Sequence, residues 1–478
     1  MTSGDAQAAT QSERPDRSAW LPVALGLVLV VLATRVYLQV AHPFLSHDDW
    51  DYLNPVEPVR EESQLRRVLW EGRWLNYYWW RGPGHLFSPV GAVLLFQLSL
   101  LVFAVRIAWT WATGWLRLPV VVAVAASPMV TDLSYWPATL DLTMLLLAVS
   151  VCTLRRCAAD PRLLVLWIAA STLLMFLTYP ANALLVLVVL CVELLDRPVR
   201  ELVRVVVVFL ASYGLSTLLV FSLNKAQFGV FGLEVLPFRN PNKLRSLGDL
   251  GENVRRSLDQ LGDLLGYATA PLLLGVAAYG VCLAVPALRE RALRVLALAV
   301  LCFGIHSSAT ILTGATIPFR SMGWVWLLIL LPFVWLAQTR PVPSPRLTAI
   351  GATVALVLVA GWGVRYVREG VDYNQNRQDV LSSVEDEVVD ALRENPDAPV
   401  ILFRTRSQVE TGRTSKEAQY LGAKMYHDHR IRAVNCSPET CRFFDSAAAR
   451  AERKGSVRVV DGQILVAPPH FTPSGHDV

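Results

Sequence analysis

Two adjacent carboxylates, Asp48 and Asp49, stand in the stretch SHDDWDYL, directly after an apolar run long enough to cross a membrane. A carboxylate in that place can serve as a general base: it takes the proton of an incoming sugar hydroxyl while an anionic phosphate leaves the anomeric carbon of a lipid-linked sugar. The departing phosphate needs fixed positive charge, for which Arg73, Arg81 and Arg320 offer planar, forked donors. Aromatic faces at Trp74, Tyr135 and Trp136 suit the apolar faces of sugar rings. Asp141, in the cluster SYWPATLDL, and Tyr179, in the turn TYPAN, complete the set of candidate residues for binding donor phosphate and sugar.

Each of these residues also has a plainer reading. Ser46 or Asp48 could cap a juxtamembrane helix. The tryptophans, tyrosines and arginines of VLWEGRWLNYYWWR suit amphipathic helices lying in the headgroup layer. Asp141 falls in the first turn of a helix, Tyr179 in a tight proline-containing turn, and Arg320 at a span end from which it can snorkel. Capping accounts for one aspartate more easily than for two, and carboxylates gain nothing from an anionic lipid surface.

The elements that must position these residues are membrane helices. The chain has 478 residues, 53% of them hydrophobic and 17% charged, with a mean hydropathy of +0.40, far from the usual composition of a soluble domain. A net charge of +5 is too small a bias at this length to argue for nucleic acid, and that class is set aside. Apolar runs give about eleven spans, approximately 20–41, 88–111, 116–131, 138–154, 163–178, 182–195, 203–223, 267–288, 293–313, 322–337 and 348–366. The first is preceded by a mostly polar segment, residues 1–19, and reads as an anchor rather than a cleaved signal.

Short connections rich in arginine, such as Arg155-Arg156 to Arg162 and Arg289 to Arg294, alternate with connections that hold no lysine or arginine, such as 132–139 and 314–318. The positive set is expected in the cytoplasm. That places the N-terminal tail inside and the long loops 42–87 and 224–266 outside. The transmembrane domain then covers 20–367, and the C-terminal part, 368–478, lies outside as well. Loop 224–266 contains an amphipathic helix from about Gly248 to Leu265, able to lie on the surface or to gate a lipid between spans. The tail reads as a small α/β domain, with a strand at Val400 to Phe403 and a hairpin turn at Asp461-Gly462. Cys436 and Cys441 could close a disulfide loop in an oxidising compartment, or remain reduced in an ordinary loop. His427-Asp428-His429 is given no role.

This arrangement, with HDDW after the first span and EGRW later in the same loop, resembles the GT-C superfamily of polytopic membrane glycosyltransferases. Within it the chain is similar to bacterial O-antigen-modifying glucosyltransferases and, in layout, to arabinofuranosyl and mannosyl transferases of mycolate-type cell walls. The resemblance implies a GT-C-like bundle with outer amphipathic helices in the bacterial cytoplasmic membrane, and transfer of a sugar from a polyprenyl-phosphate donor to an envelope glycan or glycolipid acceptor. It carries the base and acceptor-binding acidic positions onto Asp48 and Asp49, without deciding between them, and the GRW arginine onto Arg73. Some members hold a divalent cation, Mg or Mn, at the acidic pair, so Asp48 and Asp49 could bind one through oxygen ligands. A multi-span transporter or lipid-linked sugar flippase is the rival expectation. Against it, charged residues are sparse inside the expected spans and no internal repeat is evident.

Overall fold

Proline opens most of the long helices. Pro89, Pro137, Pro161 and Pro286 each take the first helical position of their element, where the missing N–H is one that would have no partner in the helix anyway. In the computed structural model, which describes residues 33, 36–37, 39–40, 45–54, 58–235, 241–339, 345–404, 415–437, 441 and 456–469, the chain forms a bundle of helices with a small sheet at one end. A short helix α1 (His47–Leu53) is followed by α2 (Pro58–Glu71), α3 (Trp74–Arg81) and the long α4 (Pro89–Trp111). Next come α5 (Arg117–Ala125), α6 (Pro128–Leu133), α7 (Pro137–Cys157), α8 (Pro161–Thr178), α9 (Asn182–Glu193) and α10 (Val199–Phe228). The bundle ends with α11 (Leu247–Ala284), α12 (Pro286–Thr313), α13 (Gly323–Gln338) and α14 (Pro345–Glu394).

Among the described residues eight helices are long and apolar enough to cross a membrane, namely α4, α7, α8, α10, α11, α12, α13 with the turn before it, and α14. Every expected run from Ser88 onward is largely helical, although 116–131 and 267–288 each fall on two helices. The expected first span, apart from a few positions, and the tail 1–19 lie outside the described residues. Two expected spans are short. Residues 116–131 divide between α5 and α6 because Pro128, behind Ser127, cannot continue the preceding helix. With nine residues α5 rises only about 14 Å, against an apolar core of about 30 Å. α9 has twelve residues. At the break between α5 and α6, Gly363 of α14 lies so close that a β-carbon there would come within 2.4 Å of the Ala126 carbonyl.

Two elements run on where the sequence suggests a boundary. The expected surface helix 248–265 continues into the following span as the 38-residue α11. Its two halves meet at Ala268, which leaves helical geometry at φ −136° and ψ 29°. Pro271 explains the bend, since its ring pushes against the carbonyl four residues back and it has no N–H to continue the helical ladder. Likewise α14 passes straight through position 367 and reaches Glu394, 50 residues in all.

The C-terminal part adds β1 (Val400–Leu402), α15 (Lys416–His429), β2 (Ala433–Asn435), β3 (Ser456–Val460) and β4 (Gln463–Ala467). The sheet order is β2-β1-β4-β3, with β1 parallel to both neighbours and β3 antiparallel to β4. Asp461 and Gly462 turn that hairpin with positive φ values of 49° and 73°, the conformation that two-residue hairpin loops require. This unit does not stand apart: Val400, Leu402, Leu421, Met425, Ile464 and Val466 share one apolar core with Leu45, Trp50, Leu53 and Trp80 of the first loop.

Candidate functional site

α7 begins without a cap of its own. Trp136 occupies the capping position and supplies no side-chain acceptor, and Pro137 has no N–H to offer. The first free donors are therefore Ala138 and Thr139, and Asp49 receives both. The Ala138 N–H donates to Oδ2 at 2.8 Å and the Thr139 N–H to Oδ1 at 3.0 Å, joined by the Thr139 hydroxyl at 2.5 Å. Asp49 has 0% exposure. It is a helix cap supplied from 89 residues away, and the positive end of the α7 dipole favours its charge. The Ser46 N–H, donating to the Tyr135 carbonyl at 2.8 Å, pins the start of α1 to the same turn. The side chain of Asp48 lies outside the described residues.

The GRW segment is built around its glycine. Gly72 ends α2 with φ +71°, and its N–H donates to the Val68 carbonyl at 2.7 Å. A β-carbon at Gly72 would meet Val220 at 2.9 Å. This turn delivers Arg73 to the face of Tyr179, 4.8 Å from the ring centre, with Glu71 3.3 Å from the guanidinium. The Tyr179 hydroxyl is hydrogen bonded to Ser321 Oγ at 2.9 Å. Next to Ser321, Arg320 lies over the ring of Trp136, 4.3 Å from its centre. Arg73, Tyr179, Arg320 and Trp136, four residues from four separate parts of the sequence, thus form one continuous cluster at the start of α7. Tyr267, at the bend of α11, stacks on Phe319 at 4.1 Å and closes this side of the cluster.

Three residues beneath it carry no signal singled out in the sequence. Asp132 is buried, accepts the Tyr366 hydroxyl of α14 at 2.9 Å, and feels the charge of Arg320. Burial pushes its carboxyl up to about 7, with the Tyr366 hydrogen bond and Arg320 pulling the other way. Among the described residues its Oδ2 has no hydrogen-bond partner. Asp132 stands in the lysine- and arginine-free segment before α7, which is the one hint the sequence holds. Its link to Tyr366 spans 234 positions. Ser321, between Arg320 and Met322, has no signature of its own.

The other candidates sit elsewhere or serve packing. Trp74 is buried among Val68, Tyr77, Phe176 and Val220, and its Nε1 donates to Asn224 Oδ1 at 3.0 Å. Its ring faces are covered, so it supports Arg73 rather than offering a platform. Tyr135 is buried in the turn before α7. Arg81 is exposed and donates to Tyr77 of its own helix at 3.2 Å. Asp141 is buried one turn inside α7, accepts the Leu142 N–H at 2.5 Å, and lies within electrostatic reach of Asp49.

Of the acidic pair, Asp49 already accepts three hydrogen bonds from α7, which fill most of the lone pairs a divalent cation would use. Among the described residues, no three or more His, Cys, Asp or Glu side chains are grouped to hold a metal ion. In the C-terminal part Cys436 and Cys441 are joined by a disulfide, with their Cα atoms 5.3 Å apart.

Compared with protein-family models, with curated proteins and with solved structures, the chain matches none.

Proposed function

We propose that the protein is a membrane glycosyltransferase that moves a sugar from a polyprenyl-phosphate donor to an envelope glycan or glycolipid acceptor on the outer face of the cytoplasmic membrane. The observation that carries this reading is the cluster of Arg73 and Arg320, joined through Tyr179 and Ser321 beside Trp136. Two half-buried guanidinium groups at one end of an apolar bundle suit a lipid-bound phosphate, and an aromatic face beside them suits a sugar. In the step proposed, the acceptor oxygen bonds to the anomeric carbon as the bond from that carbon to the phosphate oxygen breaks. Polyprenyl phosphate leaves with the electron pair, its charge met by Arg73 and Arg320, and the hydroxyl proton passes to Asp48. Asp49 holds the acidic helix in place and takes no proton, since it has neither exposed surface nor a free approach. One displacement inverts the anomeric centre. The arginine-rich short turns and the disulfide support the outer placement.

The test is transfer by the purified protein in lipid from short-chain polyprenyl-phosphate arabinose, glucose and mannose. Wild type is expected to release polyprenyl phosphate and glycosylated product in equal amounts, and Arg320→Ala to raise the donor KM about tenfold or more, as loss of a charge-assisted phosphate contact should. Absence of transfer from every donor would sink the reading. Asp132 and Asp141, carboxylates buried among helices, favour an ion-coupled carrier as the second reading, and sugar-lipid translocation without transfer would establish it.

A further inference from the structure

Trp50 stands between the acidic residues of α1, and the C-terminal part of the chain reaches them through it. Its indole is 3% exposed. Tyr420 meets it edge-on at 5.8 Å and His427 at 5.2 Å, while the Lys424 ammonium lies 6.0 Å from the ring centre. These three residues belong to α15 and recur at the spacing that puts side chains on one helix face. At the exit of α1, the Asn54 amide donates to the Ala423 carbonyl at 3.2 Å.

α15 is itself fixed to α14. Lys424 pairs with Glu385 of α14, a buried carboxylate, and with Asp428 at 2.7 Å. Arg377 of α14 meets Glu417 at 3.2 Å, and the Ser415 hydroxyl caps the helix at the Ala418 N–H, 3.0 Å away. Leu381, Val384 and Val388 of α14 lie in the same apolar core as Trp50 and Leu53. A helix of seven residues closes too few hydrogen bonds to persist alone, so α1 exists only where it is packed. It is packed from two directions, by Asp49 against α7 and by Trp50 and Asn54 against α15.

We infer that the C-terminal α/β unit is the seat of the acidic helix: α15 grips Trp50 and thereby fixes where α1 presents Asp48. The catalytic consequence rests on the transferase reading, whereas the seat itself does not. Trp50, Tyr420 and Lys424 are then positioning residues rather than catalytic ones. They set the geometry of the base without touching a substrate.

The experiment uses the full chain in lipid nanodiscs and compares wild type with Trp50→Ala, Trp50→Phe and Tyr420→Ala. Hydrogen exchange is followed in peptides covering residues 46–54, with sugar transfer measured in parallel. Removing the aromatic pair from either side is expected to speed exchange in 46–54 about tenfold while the spanning helices stay protected. The kcat should fall by about the same factor with donor KM unchanged, and Trp50→Phe should recover most of both. Tyr420→Ala lies outside the acidic loop and keeps the test open if Trp50→Ala does not fold. Unchanged exchange in 46–54 overturns the seat, and faster exchange with kcat intact overturns the catalytic consequence drawn from it. Wild type that transfers from no donor defeats the transferase reading instead, and exchange then decides the seat alone.

Discussion

Asp48 and Asp49 are neighbours in the chain, and the proposed mechanism gives them different duties. Asp49 accepts three hydrogen bonds from Ala138 and Thr139, so Asp49→Ala leaves two buried N–H groups without partners. A loss of about 1–3 kcal/mol in stability is expected, read as a lower unfolding midpoint in detergent. Asp48→Asn should leave that midpoint near wild type and abolish transfer. Capping was legible in the sequence, but for Ser46 or Asp48, because the helix start that needs the cap lies far along the chain. Asp132 gives a pH dependence. Its folded-state carboxyl titrates at about 7, above the ordinary value of about 4, so the folded chain keeps a proton that the unfolded chain releases. Stability is therefore expected to fall as pH rises from about 4 through about 7, and Asp132→Asn to remove that slope. Donor KM should climb over the upper part of this range, as ionised Asp132 draws on the charge of Arg320, and should stay flat in Asp132→Asn.

Helix starts lie within a few residues of the expected span starts at Pro89, Pro137 and Pro161, whereas the expected spans 116–131 and 267–288 run through Pro128 and Pro286, which open helices of their own. Breaks and continuations were not readable, because both depend on what packs alongside. An apolar run over 116–131 looks like one span until the bend at Ala126 and Ser127 is seen filled by Gly363. Gly363→Ala is expected to destabilise by about 1–3 kcal/mol, since the obstacle is a backbone carbonyl that cannot rotate away as a side chain would. Thermal unfolding of the variant in detergent checks this. A change in composition near 367 suggests a domain boundary, yet helix propensity continues through it and α14 carries Tyr366 to the site and Glu385 to α15 in one rigid element. At Pro271 the expectation is functional. Pro271→Ala should straighten α11 and part Tyr267 from Phe319, raising donor KM with the unfolding midpoint unchanged or higher.

On the scale of the whole molecule, the arginine–aromatic cluster, the acidic helix and the C-terminal sheet occupy one end of the bundle. The sequence offered the members of the cluster, Arg73, Tyr179, Arg320 and Trp136, as separate candidates. It held no signal that they meet, because their contacts join segments scattered over nearly 250 positions, and periodicity reports only local faces. The C-terminal part was legible as helix, strand and hairpin, and its place against Trp50 was not. The most direct measurement of the central claim is sugar transfer from polyprenyl-phosphate donors by the purified protein in lipid, with Asp48→Asn set beside Asp49→Asn and both variants shown to be folded. The account predicts product with wild type, none with Asp48→Asn, and partial activity with Asp49→Asn that tracks its loss of stability. Full transfer by Asp48→Asn would contradict it.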